Sequence, residues 1–167
     1  DGIYQDFVRQ VTGLPKFNAK SKCMIALAFI TPRVDSPMES KTRIATTKYG
    51  LPPAVTNYTV PGATFSNGAP ITLDLAWPEF RVAIEYDGDH HRTDKNQWRR
   101  DNDKRELLRH HHWIVIIATA ANMADEPSQA ELAYRVGRQL ALRGAVFDFT
   151  LTATPLDELA RRRRRRI

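Results

Sequence analysis

The chain has 167 residues, 42% of them hydrophobic and 26% charged, which suits one domain with enough apolar content to bury a core. No stretch approaches 18 uncharged apolar residues, which excludes a membrane-spanning helix. The single cysteine excludes an internal disulfide, so the fold needs no oxidising compartment and the cytoplasm is the expected setting. The formal charge of +6 sits in one place: residues 161–166 are six consecutive arginines, and the rest of the chain carries 19 basic against 19 acidic residues.

The chain starts at Asp1 and shows no signal-peptide pattern, which reads as a fragment. Residues 1–35 read as an N-terminal helical segment, the remnant of a preceding domain. Ile3, Phe7, Val8 and Val11 recur near helical spacing, Gly13-Leu14-Pro15 interrupts them, and residues 23–30 are an apolar run. Cys23 is expected to be a small buried apolar residue. Ser36-Pro37-Met38-Glu39 combines a capping Ser, Pro at the first helical position and Glu three residues after the Ser. A helix should open there, run to about Lys48 and end at Tyr49-Gly50-Leu51-Pro52-Pro53.

Residues 54–60 alternate as a strand and 61–70 are turn-rich. Two strands follow at 71–77 and 81–86, joined tightly at Pro78-Glu79, which predicts an antiparallel hairpin. Asp94 with Gln97 can cap a helix from about Lys95 to His111. Residues 113–118 (Trp-Ile-Val-Ile-Ile-Ala) have the apolar, β-branched character of a strand covered on both faces, and a last helix spans about 128–143. The order predicts an α/β domain over residues 36–145, a mixed sheet with helices on both faces. Residues 146–167 form a C-terminal extension whose arginine tail reads as a solvated arm, able to hold a polyanion loosely through counterion release.

Chemistry concentrates in Leu73-Asp74-Leu75 and in Ile84-Glu85-Tyr86-Asp87-Gly88-Asp89-His90-His91-Arg92. Alternation along a strand puts Glu85 and Asp87 on one face, and a hairpin can bring Asp74 opposite them. Three carboxylates so close repel one another unless a cation neutralises them, and a hard divalent ion, Mg²⁺ or Mn²⁺, is the natural one. The plainer alternative is that Asp87-Gly88 is a turn and the acids end a strand at the surface. Against it, Glu85 follows the apolar Val82-Ala83-Ile84, where an unpaired carboxylate is costly.

The succession of Ser-Pro-Met-Glu, Leu-Pro-Pro and Asp-Leu-Ala-Trp-Pro-Glu-Phe-Arg-Val-Ala-Ile-Glu-Tyr-Asp-Gly-Asp-x-His-Arg resembles a widespread bacterial family. That family is grouped with the very-short-patch-repair-like (Vsr-like) endonucleases of the PD-(D/E)XK nuclease superfamily. The resemblance spans roughly residues 36–120 and continues through Asp101, Arg105 and Leu108 to Trp113. It implies a three-layer α/β restriction-endonuclease-like fold with a central mixed β-sheet flanked by helices. It also implies Mg²⁺-dependent (or Mn²⁺-dependent) hydrolysis of DNA phosphodiesters, in repair or foreign-DNA defence.

By the same resemblance Asp74 and Glu85 are the metal-binding acids, Asp87 stands where the motif has Lys, and His91 is the catalytic histidine of the Vsr-like branch. Glu39 is the first-helix acid that leans over the site, although the residues read equally as the return half of a capping box. Asp101 and Arg105 match a pair on the following helix, at a spacing that also suits a salt bridge. Arg92, Lys95 and Arg99 are available to phosphate oxygens. His112 stands where relatives have a helix-ending Gly, and Ile117 where they have Arg. The alternative reading is a catalytically inactive nucleic-acid-binding or toxin–antitoxin-type module, completed by a protein partner or an additional N-terminal domain. His90 ranks behind His91, and Trp77, Trp98 and Trp113 are expected in the core. Consecutive His110-His111-His112 should fan out by about 100° each, too widely to face one ion, and are favoured by the dipole at a helix C-terminus.

Overall fold

A computed structural model describes residues 2–88 and 95–164, with side chains over 5–88 and 100–162. In chain order the elements are α1 (Gly2–Gly13), α2 (Lys20–Leu27), α3 (Pro37–Lys48), β1 (Val55–Thr64), β2 (Pro70–Trp77), β3 (Val82–Tyr86), α4 (Lys95–His110), β4 (Ile114–Ala118), α5 (Glu126–Leu142) and α6 (Leu156–Arg164). They fall into two compact units, Asp1–Thr31 with Thr154–Ile167, and Pro32–Ala153.

In the first unit α1 ends at the Gly13-Leu14-Pro15 break, and Lys20 Nζ reaches back to donate to Thr12 O at 3.1 Å and to Leu14 O. Cys23, expected to be buried, is only half-buried. The first residues of the arginine tail, 161–164, continue α6, with Arg161 and Arg162 exposed. Asp157 and Glu158 lie in the first turn, where the helix dipole favours acids, and each meets an arginine one turn on. Arg161 pairs with Asp157 at 2.9 Å and Arg162 with Glu158 at 2.7 Å, while Leu159 and Ala160 are buried.

The second unit is an α/β domain built on a four-stranded mixed sheet, order β1-β2-β3-β4, antiparallel except for the parallel β3–β4 pair. Ala45 of α3, Tyr49 that caps it, and Leu132, Val136 and Leu140 of α5 pack with Leu75, Trp77, Val82, Ile84 and Ile116. Leu108 of α4 and Trp113 pack with Val60, Ile71, Leu73 and Ala83, so helices cover both faces. Trp77 and Trp113 are buried; the Trp98 side chain lies outside the described residues.

Several boundaries differ from the sequence reading for physical reasons. β1 runs through Pro61-Gly62 to Thr64 instead of ending in a turn, because it is an edge strand and a proline there removes no ladder bond. β4 is the other edge, so Ile116 and Ala118 are buried while Ile114, Val115 and Ile117 are only half covered. α5 opens two residues earlier than read, because Asp125 caps it and accepts the Ser128 N–H at 2.8 Å.

Three helices end in the same hydrogen-bond pattern, with a left-handed residue closing the last turn. At α3 it is Gly50 (φ +87°), with Leu51 N–H donating to Thr46 O, and after α5 it is Gly144 (φ +90°), with Ala145 N–H donating to Leu140 O. At α4 it is His112 (φ +61°), with Trp113 N–H donating to Leu108 O and His112 N–H to Arg109 O.

Candidate functional site

Residues two apart on one strand normally share a face, yet Leu73 packs on the α4 side of the sheet and Leu75 on the α3/α5 side. The switch falls at Asp74. On β1 the pairs Thr56↔Leu75 and Tyr58↔Leu73 bracket Asn57, whose φ of +48° is left-handed. On the other side the β2–β3 ladder runs from Trp77↔Val82 to Leu75↔Ile84, and side chains then take over from backbone. Glu85 Oε1 accepts the Asp74 N–H at 3.2 Å, and Asp74 Oδ2 accepts the Tyr86 N–H at 2.8 Å. Each carboxylate thus satisfies a backbone donor where the two strands part.

α3 joins this polar seam through its N-terminus. Ser36 Oγ accepts the Glu39 N–H at 3.2 Å, and Glu39 Oε2 accepts the N–H of Asp35 at 3.0 Å, one residue before the capping Ser. Asn57 Nδ2 donates to Asp35 Oδ2 at 2.6 Å. Glu39 is therefore a capping residue that is also buried, 8% exposed, close enough to Asp74 to bear on its charge.

A cation from α4 pairs with Glu85. Lys104 Nζ donates to Glu85 Oε2 in a pair whose side chains are 22% and 18% exposed. Lys104 was missed in the sequence; its signal is its place three residues after Asp101, on the helix face already marked by Asp101 and Arg105. A cavity of about 270 Å³ beside the pair is lined by Asp74, Glu85, Asp87, Asp101, Lys104 and Arg105, with Ile117 at its wall.

Burial pushes the Asp74 carboxyl above the usual carboxylate range; the Tyr86 amide and Lys104 pull it back, and Glu39 and Asp35 push it up. Burial likewise raises Glu85, against the pull of Lys104 and with the push of Asp74. Burial thus disfavours the charged form of both acids, and a further cation entering the cavity would favour it.

The other sequence candidates are placed less closely. β3 stops at Tyr86, so strand alternation does not carry on to Asp87. Its N–H donates to Ala118 O at 2.8 Å, and its half-buried side chain lines the same cavity. Among the described residues no group of three or more His, Cys, Asp or Glu side chains is arranged to hold a metal ion. His90, His91 and Arg92 lie outside the described residues; Lys95 and Arg99 belong to α4, with their side chains outside them. His110 is the last residue of α4, and His111 and His112 follow it. The left-handed His112 ends the helix, and all three line one separate cleft.

Fold and site together define an α/β protein with a half-buried carboxylate–lysine cluster where two strands diverge. It is similar to two uncharacterized proteins from two strains of Mycobacterium tuberculosis, each 29% identical over 114 residues, a match covering 68% of this chain and 40% of each relative. The chain thus spans less than half the length of the curated relatives it matches. No family model and no solved structure matches it.

Proposed function

We propose that the protein is a metal-dependent DNA endonuclease or nicking enzyme on a restriction-endonuclease-like fold, acting in repair or foreign-DNA defence. The observation that carries this reading is the meeting of Asp74, Glu85 and Lys104 at one cavity, at the point where β2 and β3 part. An acid from each strand and a lysine are the side chains that the superfamily's chemistry needs. Here the lysine arrives from α4, while Asp87 holds the position where the motif places it.

The donor set fits Mg²⁺ or Mn²⁺. Magnesium is commonly held by one or two carboxylates with waters and substrate phosphate, so the lack of a three-ligand cage among the described residues is no obstacle. Asp74 and Glu85 would hold the ion, and their burial favours its arrival. When bound, such an ion polarises the scissile phosphate and lowers the pKa of an attacking water. Lys104 fixes the Glu85 carboxylate by donating to Oε2 and sets a positive charge beside the phosphate's place. Glu39 closes the N-terminal cap of α3 by accepting the Asp35 N–H. His91 would exchange the proton at the water or leaving oxygen, and Arg92, Lys95 and Arg99 would bind flanking phosphates.

One observation favours the inactive nucleic-acid-binding or toxin–antitoxin-type module. Glu85 already accepts at both oxygens and Asp74 at one, from protein donors, so the cluster also works as a structural seam. Plasmid cleavage with Mg²⁺, Mn²⁺ or EDTA separates the two. Metal-dependent cleavage that falls at least about 100-fold in Asp74→Ala and Glu85→Gln, beyond what losing an outer-shell partner costs, supports the nuclease. Absence of cleavage from the folded chain under every metal supports the inactive module.

A further inference from the structure

A second cleft, about 410 Å³, lies at the end of β3 and β4 opposite the carboxylates. Arg81 precedes β3, Trp113 precedes β4, and His110, His111 and His112 close the C-terminus of α4; all of them line it. Among the described residues no Asp or Glu lines it, so four side chains able to carry positive charge face it with no acid to neutralise them. A transition metal is not what such a cleft suits, since the described residues hold no metal-ligating group of three.

Two of the four stand in left-handed backbone, Arg81 at φ +49° and His112 at φ +61°. Both positions are anchored: Ile114 N–H donates to Arg81 O at 2.9 Å, and Trp113 N–H to Leu108 O at 2.9 Å. At the two equivalent helix ends the left-handed residue is glycine, so His112 occupies a place that glycine fills without strain. Strained non-glycine residues gather where a particular side chain is required, and here two of them, both basic, line the same cleft. His111, half-buried, lies beside Gly62 of β1. Arg81, His110 and His112 remain exposed to an incoming ligand.

We infer that this cleft binds a phosphate group. A guanidinium fork and several imidazole N–H donors suit an anion with three or four oxygens, and the basic side chains converge on a pocket large enough to hold one. The phosphate comes either from a nucleic-acid backbone or from a free phosphate. The inference uses none of Asp74, Glu85 and Lys104, so it stands or falls apart from the proposed nuclease activity.

The test uses the full chain and two variants at exposed or half-exposed positions. Arg81→Asn keeps a residue that tolerates left-handed backbone, and His110→Gln/His111→Gln is made separately. Inorganic phosphate is titrated by calorimetry and a fluorescein-labelled 12-nucleotide single strand by anisotropy, with matching thermal midpoints showing that the variants are folded. The expected result is phosphate binding to the parent that weakens about 10-fold in each variant, the value of one charge-assisted hydrogen bond. If the oligonucleotide weakens with it and its log–log salt slope drops by about 1, the source is a nucleic-acid backbone. If the oligonucleotide is unmoved, the source is free phosphate. Phosphate affinity that is absent from the parent, or unchanged in both folded variants, overturns the inference.

Discussion

Asp74 sits where charge is disfavoured, and that has a measurable consequence. Its folded-state pKa is raised by burial, so between the ordinary carboxylate range and the raised value the folded protein holds more protons than the unfolded chain. Its contribution to stability is therefore full below the ordinary carboxylate range and is lost as pH rises through the raised folded-state value. Asp74→Asn keeps an oxygen for the Tyr86 N–H and sheds the charge, so its thermal midpoint should exceed the parent's at pH 7, with the gap closing towards pH 4. A lower midpoint at pH 7 would mean that the carboxylate charge stabilises the fold. Under the proposed function the same variant does not cleave, a gain in stability at the expense of activity. Asp74 and Glu85 were legible in the sequence because an acid inside an apolar strand calls for a partner. Lys104 was not, because it is 19 residues away and its approach depends on how α4 lies on the sheet.

The three helix ends form an internal comparison. Gly50 cannot be replaced, since a Cβ there would lie 2.0 Å from Asp148 O in addition to meeting the left-handed backbone. His112 is the reverse case, an L-residue in a conformation that costs about 1–2 kcal/mol. His112→Gly should stabilise the domain by about 1 kcal/mol net of glycine's greater freedom when unfolded, raising the midpoint by about 2–4 °C. An unchanged or lower midpoint would show that the His112 side chain contributes packing that offsets its strain. Cap signatures made α3 readable, with Ser36, Pro37 and Glu39 at one end and Gly50 at the other. The length of β1 was not readable, because its tolerance of Pro61 follows from lying at a sheet edge, a property set by strands elsewhere in the chain. α6 was overlooked because its arginines dominated a stretch in which Leu156, Leu159 and Ala160 already recur at helical spacing.

Across the whole molecule, the alternation of helical and strand patterns was enough to anticipate a mixed sheet with helices on both faces. It did not reveal that β4 is an edge, nor that the sheet changes face at Asn57 and Asp74, since both depend on pairings distant in sequence. Part of the net charge is paired locally. Arg161 and Arg162 are paired within α6, so truncation after Arg162 removes four arginines and spares those ion pairs. The truncated chain should keep its thermal midpoint and lose up to about 3–4 from the log–log salt slope of DNA binding, roughly 0.9 for each phosphate contact. An identical slope would show that those arginines do not meet DNA. The parting of β2 and β3 adds one more property. The amide protons of Asp74 and Tyr86 are sheltered by side-chain oxygens, whereas those of ladder residues are sheltered by backbone. If a cation draws the two carboxylates away, as the proposed function would have it, these two amides should lose protection from solvent exchange together while the ladder keeps its own, so a pair of resonances would report occupancy of the cavity with no substrate present.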